Sequence, residues 1–290
     1  MPRLRGISNG LRVLGVWVLI LGLWEGAYRV IGWRAYLFPA PSQVLDATLN
    51  LLNVPAGFGE AVQPGWPWKP PPDSGIKPGD VGDVLHSALP TAVTTSVVRL
   101  CVGFALSLLL GGILGLLMWR YSFWNALCGP VFLGLQTLPS VCWAPLAILL
   151  FGLNERGIVF VMLMGSFFAI AIALRDGLRQ TPPIYKRAAQ MLGARHWSMY
   201  RYVLLPAGLP AAASSLRQGF AFAWRSLMGG EFVFQLTRQG LGHRLSIARD
   251  FNNVAQVLAI MTVMVLIGTL VDRFVFAQLE QRVRARFGLI

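Results

Sequence analysis

The sequence predicts an all-α polytopic membrane protein with about six transmembrane helices. The first observation is bulk: 55% of its 290 residues are hydrophobic and the mean hydropathy is +0.59, more apolar than a soluble domain, where apolar types with glycine reach about half. The second is length. A helix needs about 20 mostly apolar residues to cross the hydrocarbon, and such stretches recur at 11–32, 98–119, 127–151, 157–174, 207–234 and 255–277. The third is where the charge sits. The net charge of +13 is not gathered in one patch, as a nucleic-acid binder would need, but alternates with the predicted crossings.

The first element, 11–32, follows Arg3, Arg5 and Arg12. A basic start before an apolar core is also the form of a secretory signal, but Trp17, Trp24, Glu25 and the length of the run argue for a retained helix. Glu25 and Arg29, one turn apart, read as a mutually compensating pair. Beyond it, Leu45 to Leu52 has the spacing of a short amphipathic helix. Pro55, Pro64, Pro67, Pro70, Pro71, Pro72 and Pro78 then exclude helix or central strand from about 53–83, an extended loop with Trp66 and Trp68 at the headgroups or on an external partner.

The second crossing carries Gly103, Gly111, Gly112 and Gly115; Gly111-x-x-x-Gly115 has the spacing of close helix contact in lipid. No strand precedes these glycines and no Gly-Lys pair occurs in the chain, so a phosphate-binding loop of the Walker type is absent. In the third crossing Pro130, Pro139 and Pro145 free backbone carbonyls around Gln136, Thr137 and Ser140. Such a helix kinks, either for packing alone or beside a polar pathway. The fifth, 207–234, holds Arg217, Arg225 and Glu231 among aromatics. Intramembrane charge is costly and faces a cavity or a partner. Arg225 is the internal candidate for meeting an anion, with pairing to Glu231 as the structural alternative, while Arg217 lies near enough to the end to snorkel.

Between the fourth and fifth crossings, 175–204 bears Arg175, Arg179, Lys186, Arg187, Arg195 and Arg201 against Asp176 alone. The 33–97 segment has more acids than bases. The positive-inside rule therefore places both termini and the 175–204 loop in the cytoplasm. Cys101, Cys128 and Cys142 lie in apolar stretches without CxxC spacing, and His86, His196 and His243 are scattered, so no metal site is expected. No nucleophile–base pair stands out, and no enzymatic function is expected.

Within the 175–204 loop, Arg187-Ala188-Ala189 is followed after three residues by Gly193, then after nine by Val203-Leu204-Leu205-Pro206. Small alanines allow close backbone approach, Gly193 permits a tight turn, and Pro206 suits the start of a helix. This pattern resembles the cytoplasmic Glu-Ala-Ala loop of ABC-importer permeases; every spacing fits, and only Arg187 departs, replacing the usual Glu. Further carriers are Phe38-Pro39-Ala40-Pro41-Ser42-Gln43-Val44, Leu138-Pro139 to Phe151-Gly152, Gly240-Leu241-Gly242 and Val271-Asp272-Arg273. These are similar to the branch importing nitrate, sulfonates, taurine or bicarbonate. The resemblance spans nearly the whole chain except 53–83, which looks like an insertion.

The resemblance implies a type I ABC-importer permease fold. Its parts would be 1–32, a cytoplasmic segment and first helix; 33–97, an external loop with the insertion; 98–277, a core permease domain with coupling loop 175–204; and 278–290, a cytoplasmic tail. It implies a coupling site of Arg187, Ala188, Ala189, Gly193, Val203, Leu205 and Pro206, and a translocation path to which Gln136, Ser140, Arg225 and Glu231 are assigned. Expected partners are two ATPase subunits, an external or periplasmic substrate-binding protein, a second permease copy and membrane lipid, without nucleic acid. No cofactor is expected in this chain, ATP and Mg being held by the ATPase, and the location implied is a bacterial inner membrane. An ATP-independent channel or secondary carrier would instead need intramembrane acids or inverted repeats. A permease for a neutral or aromatic nutrient, such as a pyrimidine vitamin precursor, is the other alternative.

Overall fold

The computed structural model describes residues 2–32, 38–53, 88–194, 196–234 and 239–286. The expectations for the insertion, Trp66, Trp68, His86 and Arg195 fall outside these residues. Among them there is helix and no strand: α1 (Pro2–Ile31), α2 (Pro41–Asn53), α3 (Ala88–Arg120), α4 (Ser122–Gln136), α5 (Ala144–Phe151), α6 (Glu155–Arg179), α7 (Pro183–Met191), α8 (His196–Met199), α9 (Leu205–Val233), α10 (Leu241–Asp250), α11 (Val254–Val271) and α12 (Ala277–Arg286). A 3₁₀ turn, Ser140–Trp143, precedes α5, and π-helical turns, Tyr200–Leu204 and Asp272–Phe276, precede α9 and α12.

The all-helical, polytopic class is as expected; the crossings differ in detail. Among the described residues α3, α6 and the rod running from Val254 to Arg286 are long and apolar enough to cross a membrane. The expected third crossing is not one kinked helix. Pro139 cannot continue α4, so α4 and the segment Ser140–Phe151 meet at 103°. The helices α1 and α9 have 30 and 29 residues, enough at about 1.5 Å per residue to cross, although α9 carries three charges. The last rod also extends beyond the expected 277.

The chain divides into two compact units. In the first, residues 1–92 and 244–263, α1 packs on α2: the Trp24 and Phe38 rings lie 5.0 Å apart, and Gln43 donates to the Tyr28 hydroxyl at 3.2 Å. Glu25 pairs with Arg29 at 3.0 Å, as the sequence predicts, and accepts bonds from Ser42.

In the second unit, 93–243 and 264–290, α9 lies along α6 in its most extensive helix contact. Met118, Phe132, Phe168 and Ala171 form a buried cluster, packed by Cys128, Trp143 and Phe167. The Gly111-x-x-x-Gly115 expectation holds. A Cβ at Gly111 would sit 2.7 Å from the Phe167 carbonyl oxygen, and one at Gly115 2.8 Å from that of Ala171, so α3 reaches the α6 backbone through these glycines. Ser166 also donates to the Ser107 hydroxyl at 2.7 Å across that contact.

Candidate functional site

The 175–204 loop begins with the last residues of α6 and continues as α7, α8 and the π-helical turn. Pro183 opens α7, where a missing N–H is harmless. The other end is a Schellman motif: the Gly193 N–H donates to Gln190 O at 3.1 Å and the Ala194 N–H to Ala189 O at 2.9 Å. Gly193 takes φ +83°, a left-handed conformation in which a side chain is strained. Ala189 is buried, whereas Arg187 and Ala188 face solvent. Just past them Met191 and Leu192 are 91% and 88% exposed, an apolar tip left uncovered among the described residues. Val203 is half-buried in the π turn and Leu205 and Pro206 open α9.

At the opposite end of α9, Glu231 is fully buried. Its carboxylate accepts from Arg99 Nη1 at 2.8 Å, from Ser96 Oγ at 2.8 and 3.0 Å, and from the Gly242 N–H at 3.0 Å. Arg99 completes its fork on Glu155, through Nε and Nη2 at 2.6 Å each. The Leu241 N–H donates to Ser96 Oγ at 2.9 Å, and a Cβ at Gly240 would land on the Glu231 carboxyl group. The Gly240-Leu241-Gly242 motif therefore has a physical role: two of its backbone N–H groups and one missing side chain close the chain over a buried ion pair.

Glu231 thus pairs with Arg99 and not with Arg225. Arg225 is exposed, donating from Nε to its own helix at Ala221 O and lying 4.7 Å over the Phe222 ring. Sequence reasoning missed Arg99. The signal was available: a lone arginine near one end of the second crossing faces a lone glutamate near the end of the fifth, and charges in such positions pair.

A clasp joins α9 to the last rod. Arg217 binds Asp272 through two bonds of 2.7 Å and reaches Glu280 at 3.2 Å, so it is held rather than snorkelling. Glu280 also accepts from Ser214 at 2.8 Å and pairs with Arg284 at 2.7 Å.

Beside the clasp lies a cleft of about 670 Å³ between α4, α6, α9 and α12, with Gln136, Asp176, Gln180, Ser214, Gln218 and Arg284 among its polar lining. Gln136 is the one assigned path residue on this cleft. Ser140 sits on the 3₁₀ turn against Gly165 of α6. Among the described residues no group of three His, Cys, Asp or Glu could hold a metal.

Residues 103–285 match the family described as binding-protein-dependent transport system inner membrane component. The chain belongs to this permease family. The permease is 32% identical over 178 residues to a putative ABC transporter permease of Methanocaldococcus jannaschii, covering 61% of this chain and 66% of that one, just under two thirds of its length. It is 28% identical over 180 residues to a bicarbonate transport system permease of Synechococcus elongatus (62% and 64% covered). It is 27% identical over 216 residues to a putative aliphatic sulfonates transport permease of Bacillus subtilis (68% and 78% covered). The family is a transport component set in a membrane, and its membership implies an ATPase and a substrate-binding protein as partners.

Proposed function

We propose that this permease is the membrane subunit of an ATP-driven importer, acting as a homodimer with two cytoplasmic ATPases and taking a small solute from an external binding protein. Both termini and the 175–204 loop lie in the cytoplasm of a bacterial inner membrane. The observation that carries the reading is the form of α7: a helix fixed by its buried Ala189 and Gly193 turn, presenting Arg187, Ala188 and the bare Met191–Leu192 tip outward. Such a tip fits a groove on a partner, and small Ala188 lets the backbones approach. ATP-driven closure of the ATPases would push on this loop and bias the bundle between inward-open and outward-open states. Arg187 in place of Glu calls for an acidic complement on the ATPase. Relatives named for bicarbonate and aliphatic sulfonates favour a small anionic solute.

The test is capture of the membrane-extracted protein, wild type against Gly193→Asp, with identification of what co-purifies. An ATPase recovered with wild type and lost with the variant supports the reading. No ATPase with either, from a folded preparation, moves the assignment to a stand-alone carrier. Against that alternative stands Glu231, whose buried ion pair with Arg99 leaves it poorly placed to couple an ion.

A further inference from the structure

The last helix, α12, continues well past the apolar part of its rod and is held in place there. That apolar part, Val254–Val271, has 18 residues, or about 27 Å at about 1.5 Å per residue, close to the roughly 30 Å of the hydrocarbon. The Arg217–Asp272 pair sits at its end. Arg282 and Arg286 lie about 16 and about 22 Å past Val271 along the same rod, whereas the headgroup layer is only about 5–8 Å deep on each side. They therefore stand beyond the lipid. They also stand at the end of the bundle from which the 175–204 loop leads into α9, because α12 is bonded to Ser214 and Arg217 in the first half of that helix.

The two faces of α12 differ. Glu280 and Arg284 bond to each other and, on α9, to Arg217 and Ser214. Arg282 and Arg286, also one turn apart, are exposed and bond to nothing among the described residues. A polar helix near a chain end frays unless it is tied down, and these ties present the two guanidiniums as a fixed pair, with Cβ atoms about 5–6 Å apart. Arg187 and Arg273 at the same end are likewise exposed and unbonded. The acids there, Asp176, Asp272 and Glu280, are each taken by an arginine of the chain. Among the described residues this end thus presents cations and no unpaired carboxylate.

We infer that α12 is a second docking surface for the ATPase, separate from the coupling helix α7, and that Arg282 and Arg286 grip acidic side chains on it. The inference rests on the importer reading and deepens it: α7 takes the push, and α12 helps to fix where the partner sits. Depth rules against phospholipid phosphate as the occupant. An apolar partner surface would desolvate two guanidiniums without a countercharge, whereas carboxylates match the guanidinium fork with two parallel bonds. Charges at the rim of an interface speed and orient docking, and they weaken as salt shortens the screening length. Because Glu280 and Arg284 fasten α12 to α9, an ATPase bound to both α7 and α12 engages α9 at two points.

The test uses the full-length permease in lipid nanodiscs and, as the probe, the ATPase that co-purifies with wild type. Dissociation constants are measured at about 50 and about 300 mM NaCl for wild type, for the double variant Arg282→Gln/Arg286→Gln, and for Arg273→Gln, which removes a cation nearer the bilayer edge. Discs with and without phosphatidylglycerol are compared, and melting temperatures are taken throughout. The double variant should bind the ATPase about five-fold more weakly at the lower salt, as expected of two rim pairs. It should approach wild type at the higher salt and keep the wild-type melting temperature, and Arg273→Gln should bind as wild type does. Unchanged affinity in the double variant overturns the inference and leaves the importer reading intact. So does a loss that salt does not reduce, or one seen only in discs with phosphatidylglycerol, the sign of a headgroup contact. If no ATPase co-purifies with wild type, the importer reading fails and this inference with it.

Discussion

Replacing Arg99 with Met tests the buried network most directly. The substitution keeps the apolar stem and removes the cation bonded to Glu231, which is 0% exposed. Breaking a buried pair from one side costs about 3–5 kcal/mol, because the remaining charge has neither water nor a countercharge. Glu231→Leu should cost less, about 2–4 kcal/mol. It strands the Ser96 hydroxyl and the Gly242 N–H, each worth about 1–3 kcal/mol when buried and unmatched. Arg99, however, retains its two 2.6 Å bonds to Glu155, which is 48% exposed. The double variant should be no worse than Glu231→Leu alone, giving a coupling of about 3 kcal/mol or more between the two sites. The assay is reversible unfolding in mixed micelles for the four members of the cycle. An Arg99→Met cost under about 1 kcal/mol, or additive single costs, would refute the assignment of Arg99 as the partner of Glu231.

Three further outcomes are expected. Gly111→Ala should destabilise by about 1–3 kcal/mol through overpacking against the Phe167 carbonyl, while Gly112→Ala, with nothing within 4 Å of its Cβ, should be neutral or slightly stabilising in the same assay. Gly193→Ala should cost about 1–2 kcal/mol locally because of the positive φ, and should reduce ATPase capture while leaving the bundle's melting temperature within a few degrees of wild type. Glu280→Gln removes the charge that Arg217 and Arg284 share and should lower the bundle's melting temperature by a few degrees at pH 7; an unchanged melting temperature contradicts the clasp.

What the sequence made legible were properties carried by one residue in its local setting. Gly193 could be read as a turn because its need for positive φ is intrinsic. Gly111 and Gly115 could be read as a contact face because their spacing puts them on one side of a helix. The amphipathic α2 and the Glu25–Arg29 pair are local in the same sense. Arg99 with Glu231 was not legible, since their pairing joins positions 132 residues apart and nothing in either neighbourhood names the other. Arg225 misled for a related reason: residues 225 and 231 are separated by 600° of helix rotation at about 100° per residue, so they face different directions, and only packing decides which direction is inward. The break at Pro139 was legible as a kink, but its size depends on how Ser140 and Val141 seat against Gly165 and Gly229.

The order of synthesis gives the Arg99 network a timetable. Arg99 leaves the ribosome 56 residues before Glu155 and 132 before Glu231. At about 5–20 residues per second those intervals are roughly 3–11 s and 7–26 s. During the first, neither carboxylate is yet available to the guanidinium; for the rest of the second, Glu155 is the only one of the two that is. Glu155 is thus the earlier partner and Glu231 the final one, so a chain lacking Glu155 faces its difficulty while it is being inserted, before the finished bundle exists to be tested.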